Sequence, residues 1–411
     1  MLLFVNGEDL YFLIFLTPFG FFVTLFINHF LGGIIMSQQR TSVRNSNLEL
    51  FRIIVMLLIV AHHYVANSGL LGNGPILETP TSGASLFLLL FGAWGKTGIN
   101  CFVLITGYFM CKSAISAKKY AKLLLEVIFY NIVITFLFWV FGYGTFSLSS
   151  LIGIFFPVTE IGVGFTSAYL VFFLFIPFLN ILVNHMTQKQ HIYLLLLVAF
   201  TYVLTGTLKM LFTVYMNYVS WFSVLYLFSS YVRLYPNKYF SNTKLWGWLT
   251  LCFIAISAFS VVAGAWMLAR FNMQLIYYFV ADSNTFLALM TGLSSFMYFN
   301  NVRIPNSRLI NTIAASTFGV LLIHTNSDLM RQWLWVDVLD NVGTYGKSWM
   351  PLHAVGSVLA IYLICTLIDY LRIRFIEMPF FRLWDRYYDK AAAKFKKWET
   401  KIMKKLGVQN P

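Results

Sequence analysis

Apolar stretches, each close to the roughly 20 residues that span a bilayer as a helix, follow one another along the chain. Charged residues make up only 11% of the sequence, against about a quarter in an average soluble domain. The sequence therefore predicts an all-α, polytopic transmembrane helical bundle. The eleven predicted spans lie near residues 11–35, 50–66, 86–110, 123–142, 168–184, 191–207, 211–231, 246–268, 284–300, 309–326 and 353–372.

The chain divides into three predicted regions. Residues 44–381 contain ten of the spans and form the core domain. Residues 1–36 are hydrophobic but have no basic residue at their start, so they do not predict a signal peptide. They are either an extra span or a segment that precedes a true start at Met36. In residues 382–411, apolar side chains recur at helical spacing against a lysine-rich face, which predicts a helix on the inner leaflet or a solvated basic tail.

Basic residues are unevenly distributed between the loops. If residues 37–49 are cytoplasmic, twenty-two Lys and Arg residues lie on the cytoplasmic side and four on the opposite side. This bias is the positive-inside signal of membrane proteins, and it predicts a cytoplasmic C-terminus. The net charge of +14 is thus explained by topology and contact with membrane lipids, so no nucleic-acid partner is predicted.

The cysteines do not indicate a metal site or disulfides. Cys101, Cys111, Cys252 and Cys365 all fall in apolar stretches, without the spacing of metal ligands. They are predicted to be small buried hydrophobic residues.

The first core span, LFRIIVMLLIVAHHY (50–64), contains three side chains that are costly in a membrane. At 100° per residue, Arg52 and His63 are about 20° apart around the helix and about 16 Å apart along it. His62 is about 80° away from Arg52 and is predicted to face elsewhere. Glu49 lies one turn before Arg52 and is a possible ion-pair partner. Arg52 and His63, on this shared face, are either functional residues, or Arg52 reaches the headgroups while His63 bonds a neighbouring helix.

Five other segments carry short patterns. They are GINCFVLITGYFM (98–110), KKYAKLLLEVIFYN (118–131), SAYLVFFLFIPFLN (167–180), STFGVLLIHTN (316–326) and IEMPFF (376–381). In this order, and together with the Arg-x10-His spacing, they resemble the membrane-bound acyltransferase 3 family, whose members O-acylate sugars at the cell surface. The resemblance covers about residues 44–381.

The resemblance implies a multi-pass enzyme of a bacterial cytoplasmic membrane. Its co-substrate would be cytosolic acyl-CoA, most simply acetyl-CoA, with no permanently bound cofactor, and its acceptor a surface glycan or a lipid-linked sugar. His63 is the predicted base for the acceptor hydroxyl, because imidazole titrates near neutrality. Arg52, with Lys118, Lys119 and Lys122, would bind the donor phosphates. Whether the sugar attacks the thioester directly or an acyl-histidine forms stays open.

Four further residues are candidates for contact with substrate or with the base. Lys96 and Asn100 could stabilise an oxyanion or contact substrate, although Lys96 could equally pair with a carboxylate. His324 is predicted in the same leaflet as His63, as a second polar contact, a hydrogen-bonding partner or a helix cap. Asp328, one turn further along, could orient an imidazole.

A second carboxylate is also a predicted charge partner. Glu126 lies near the inner end of its span. There it is expected to neutralise Arg52 or Lys122 rather than to take part in chemistry.

Two other classes of membrane protein are weighed against acyl transfer. A transporter or flippase for lipid-linked sugars predicts internal repeats and paired broken spans, and the sequence shows no such duplication. A polymerase or ligase predicts a large outer loop with several arginines. The predicted outer loops 143–167 and 327–352 hold no basic residue and two basic residues, respectively.

Overall fold

The computed structural model describes residues 45–145, 147–159, 164–212 and 216–386, and within these ranges every regular element is a helix. The predicted N-terminal segment 1–36 lies outside the described residues, as does most of the predicted tail 382–411. Both regions therefore stay predictions.

Fourteen helical segments organise the described chain, in addition to two helices of four residues and a short π-helix, Trp333–Val338. In order, they are α1 Ser46–Ala66, α2 Gly83–Gly92, α3 Gly95–Met110, α4 Ala117–Val140, α5 Leu148–Phe155, α6 Phe165–His185, α7 Gln188–Thr207, α8 Tyr218–Leu234, α9 Thr243–Phe271, α10 Phe286–Asn301, α11 Arg308–Ala315, α12 Thr317–His324, α13 Asp328–Gln332 and α14 Met350–Arg386.

The helices coincide with the ten predicted core spans, but not all are long enough to cross a membrane. Seven described helices are long and apolar enough, or eight if the bent pair formed by α11–α12 and the segment from Asp328 to Thr344 is one span. Helices α8 and α10 have only 17 and 16 residues. The described part of the chain is all-helical and has the helices of a multi-pass membrane protein, while the count of ten spans stays a prediction.

Helix α3 lies at the centre of the bundle. It packs against α1, α8 and α10, and α14 packs against α1 and α12. In the most apolar 18-residue stretch of each span, 72% is buried for the span formed by α2 and α3, against 22% for α9. Helix α9 instead exposes large apolar side chains such as Trp248 and Phe259. Such a surface is suited to lipid, whereas α1 and α3 can carry polar groups inside the bundle.

Two interruptions of the helices shape the region around His63. The span of α2 and α3 is interrupted at Ala93 and Trp94, and α3 begins at Gly95. Helix α12 ends at His324, and the segment that starts at Asp328 is bent by 94° from it. Helix breaks at membrane depth free backbone groups that then need partners from side chains.

Candidate active site

Two histidines from distant parts of the chain meet inside the bundle. His63 lies on α1 and His324 at the end of α12, and His63 Nδ1 is 3.0 Å from His324 Nε2. His324 is fully buried, whereas His63 is partly exposed. The sequence placed His324 in the same leaflet as His63, and the structure brings the two rings into a hydrogen bond.

The hydrogen bonds of His324 determine which nitrogen of each neutral ring carries the proton. His324 Nδ1 lies 2.6 Å from the carbonyl oxygen of Val320, which can only accept, so His324 Nδ1–H is the donor. Its Nε2 must then accept from His63 Nδ1–H. The second nitrogen of His63, Nε2, is left with a lone pair. These tautomers follow from the hydrogen-bond partners of the two rings, and they make His63 Nε2 a proton acceptor.

His63 lines a cavity of about 620 Å³ that extends along α1 from Met56 to Asn67, the residue after the end of the helix. The walls come from α1, α3, α4, α5, α6, α8 and α12, and part of the lining is contributed by the chain around Arg331. A volume of this size is in the usual range of small-molecule sites. The cavity therefore places a substrate-sized space beside the free nitrogen of His63.

His62 also lines the cavity, but its hydrogen bond is to α2, whereas that of His63 is to α12. Its Nδ1 donates to the carbonyl oxygen of Gly92 at 2.7 Å, at the break between α2 and α3. Gly95 follows the break, and a Cβ there would lie 2.3 Å from His62 Cγ. The break brings α3 close to α1, and the cavity extends around both histidines. His62 thus has a structural role that helical periodicity alone does not reveal.

Lys96, the residue after Gly95, also lines the cavity. Its Nζ donates to the hydroxyl of Tyr218 at 2.7 Å and lies 5.5 Å from the centre of that ring. The partner is therefore a phenol rather than the carboxylate that was one of the two predicted alternatives. Tyr218 comes from α8 and was not singled out in the sequence, because an aromatic residue in an apolar span gives no specific signal.

Asn100 does not line this cavity, which corrects its prediction as a substrate contact. It is fully buried, donates from Nδ2 to the Ser283 carbonyl at 2.7 Å, and accepts from Trp221 Nε1 at 2.8 Å. Both ends of its amide are thereby satisfied within the bundle. Asn100 joins α3 to α8 and to the segment before α10.

Asp328 does not orient either imidazole, which corrects another prediction. Its side chain is 94% exposed and pairs with Arg331 at 2.6 Å. The bend after His324 is the reason, because Asp328 no longer continues the axis of α12. The backbone of Val320 orients His324 instead.

Arg52 does not line the cavity that contains His63. Its guanidinium lies 3.4 Å from Glu49, the partner considered for it in the sequence. The cavity ends at Met56, one helical turn or about 6 Å from Arg52. The cavity beside His63 therefore does not reach Arg52, although the two residues share a helix face.

The three lysines predicted to bind donor phosphates lie together at the start of α4. Lys118 pairs with Asp385 and Lys122 with Glu377, each at 2.6 Å. Lys119 donates to the Ser113 hydroxyl and to the Ala114 carbonyl. Their role in donor binding stays a prediction.

Glu126 does not neutralise Arg52 or Lys122 by direct contact. It pairs with Arg372, whose guanidinium also contacts Asp369 and Glu377, at distances between 2.8 and 3.0 Å. All four side chains are less than 10% exposed. We call Arg372 and its three carboxylates the ionic cluster.

Arg372 was not predicted as a site residue, because a basic residue next to a predicted span indicates only topology. The spacing of three residues to Asp369 and five to Glu377 is a signal that could have indicated it. The cluster is held beside α12 by close packing. A Cβ at Gly319 would lie 2.3 Å from Asp369 Cγ, so glycine is required there.

None of the described residues forms a group of three or more His, Cys, Asp or Glu side chains that could hold a metal ion. The polar groups at the cavity are imidazoles, amides, hydroxyls and cations. They are suited to proton transfer and to hydrogen bonding with a polar organic substrate.

A protein-family model described as an acyltransferase domain matches residues 45–370. The match covers well over half of the chain, and the chain belongs to the acyltransferase 3 family. The resemblance seen in the sequence is thereby confirmed, and the protein is a membrane acyltransferase by family. A search of curated proteins found no match, and a search of solved structures found none either.

Proposed function

We propose that the protein transfers an acetyl group from cytosolic acetyl-CoA to a hydroxyl of a cell-surface polysaccharide or of its lipid-linked precursor. The observation that carries the proposal is the His63–His324 pair at a substrate-sized cavity, in a chain of the acyltransferase 3 family. The positive-inside bias supports an orientation with Arg52 near the cytosol and the cavity towards the outer surface. A ten-span enzyme of a bacterial membrane is part of this proposal.

The chemistry needs one base and no redox step. His63 Nε2 accepts the proton of the acceptor hydroxyl as its oxygen attacks the thioester carbonyl. The tetrahedral intermediate collapses, the carbon–sulfur bond breaks, and the CoA sulfur receives the proton from His63. The products are a sugar ester and free CoA thiol. His324 keeps Nε2 of His63 available by accepting the hydrogen of Nδ1.

The donor reaches the cavity from the side of Arg52. Its phosphates bind Arg52 and the lysines at the start of α4, as the family resemblance suggests. The thioester end then has to pass the helical turn between Arg52 and Met56, since the cavity lining on α1 begins at Met56. We infer that the acyl group enters the cavity from the cytoplasmic side while the glycan enters from the opposite side.

The test compares surface glycans from a deletion strain with those from cells that carry the wild-type gene. Mass spectrometry is expected to show an acetyl increment that is present only with the wild-type protein and is removed by mild alkali. Purified protein is expected to consume labelled acetyl-CoA when such a deacetylated glycan is added. Identical glycans in both strains, with no consumption of acetyl-CoA or longer acyl-CoAs, would contradict the proposed function.

A further inference from the structure

The charged side chains that line the cavity, among the residues that the structure describes, are all basic. Among the lining residues that the structure describes, Lys96 and Arg331 are cations and none is Asp or Glu. The remaining polar groups of the lining are imidazoles, amides and hydroxyls. A cavity in this part of the bundle is therefore electropositive.

Lys96 is only partly exposed, and the hydrogen-bond partner described for it is the neutral hydroxyl of Tyr218. The ring of Tyr218 contributes a cation–π contact but no opposite charge. An ammonium within a span is costly unless an anion compensates it. Lys96 is thus placed to bind an anionic group that enters the cavity.

Arg331 does have an acidic partner, but the pair is weak. Asp328 is 94% exposed and Arg331 is 39% exposed, so water screens their attraction. A ligand anion can replace Asp328 without uncovering a buried charge. Planar guanidinium groups bind carboxylate and phosphate in a two-pronged geometry, which fits Arg331 for the same ligand as Lys96.

We propose that the acceptor is an anionic glycan whose carboxylate or phosphate is held by Lys96 and Arg331 while a nearby hydroxyl faces His63. The proposal rests on the proposed function for the identity of the bound molecule as acceptor. The cavity volume of about 620 Å³ requires that the anion and the reacting hydroxyl belong to the same sugar or to adjacent sugars. Aromatic walls that include Phe102 and Phe165 offer apolar surface for the sugar rings.

Binding and transfer are measured separately on the purified full-length protein in detergent micelles. Isothermal titration calorimetry compares methyl glucuronide, glucose 1-phosphate, methyl glucoside and methyl glucosaminide, which carry a carboxylate, a phosphate, no charge and a positive charge. We expect one of the two anionic probes to bind at least about tenfold more tightly than the neutral one, as charged hydrogen bonds predict. Which anion binds better distinguishes a uronic acid from a phosphorylated glycan.

Three variants test the residues. Lys96→Met and Arg331→Met should each reduce the preference for the anion several-fold, and the double variant should abolish it. Lys347→Met is the matched control, because Lys347 stacks on Trp349 and does not line the cavity. It should keep the full preference.

Equal binding of anionic and neutral probes, or a preference that survives in the double variant, would overturn the proposal. A Glu160→Gln variant is also measured, because Glu160 lies outside the described residues. If the wild type shows no preference and Glu160→Gln creates one, the chain itself supplies the counter-ion and the proposal is wrong. Anion binding without any transfer from labelled acetyl-CoA would support the binding site and count against the proposed function.

Discussion

Replacing His63 with asparagine is expected to lower the rate of acetyl transfer about 10²–10⁴-fold, the usual contribution of a general base. The Nδ2 of asparagine lies close to the position of the histidine Nδ1, so the variant can still donate to His324 Nε2. It lacks a second nitrogen with a lone pair at the cavity. The loss should therefore appear in kcat, measured with labelled acetyl-CoA and saturating acceptor.

His62→Asn is the matched control, since it makes the same substitution one residue earlier on a side chain that also lines the cavity. Asparagine can still donate to the Gly92 carbonyl, the bond that His62 makes at the helix break. We expect this variant to retain most of the activity. Equal losses at both positions, or a larger loss at His62, would show that His63 is not the base.

Replacing Arg372 with alanine is expected to lower the free energy of unfolding by about 3–5 kcal/mol, the cost of breaking a buried ion pair from one side. The guanidinium contacts Glu126, Asp369 and Glu377, and its removal leaves these buried carboxylates without their shared cation. Chemical denaturation of the purified protein in detergent micelles measures the change. Arg372→Lys should be intermediate, because an ammonium cannot reproduce the fork of the guanidinium.

Arg374→Ala is the control for this prediction. Arg374 lies two residues further along and is exposed, so its loss should change the free energy of unfolding by less than about 0.5 kcal/mol. A result of that size for Arg372→Ala would mean that the ionic cluster does not stabilise the fold. None of the four residues of the ionic cluster lines the cavity, so variants that fold should keep their affinity for acceptor.

The sequence predicted the class of fold because hydropathy and loop charge depend on the chain alone. Span length and the positive-inside bias can be determined without knowledge of tertiary contacts. Hydropathy does not determine the count of spans, since α8 and α10 are largely buried and have only 17 and 16 residues. Their length depends on their neighbours in the bundle, which hydropathy does not describe.

The site was predicted in part. Helical periodicity placed Arg52 and His63 on one face, but it could not show that the cavity ends at Met56. The hydrogen bond between His63 and His324 joins residues 261 positions apart, so only the packing of α1 against α12 reveals it. The partners of Asp328 and Glu126 also depend on tertiary structure. The bend after α12 moves Asp328 away from the imidazoles, and the fold brings Arg372 of α14 to Glu126.

A double-mutant cycle of His63→Ala and His324→Ala tests most directly whether the two histidines act as one unit. The measured quantity is kcat/KM for acetyl transfer in the wild type, both single variants and the double variant. If His324 acts only by holding His63 in the required tautomer, the double variant should be no slower than His63→Ala alone. Losses that multiply, so that the double variant is slower by the product of the single effects, would contradict the account.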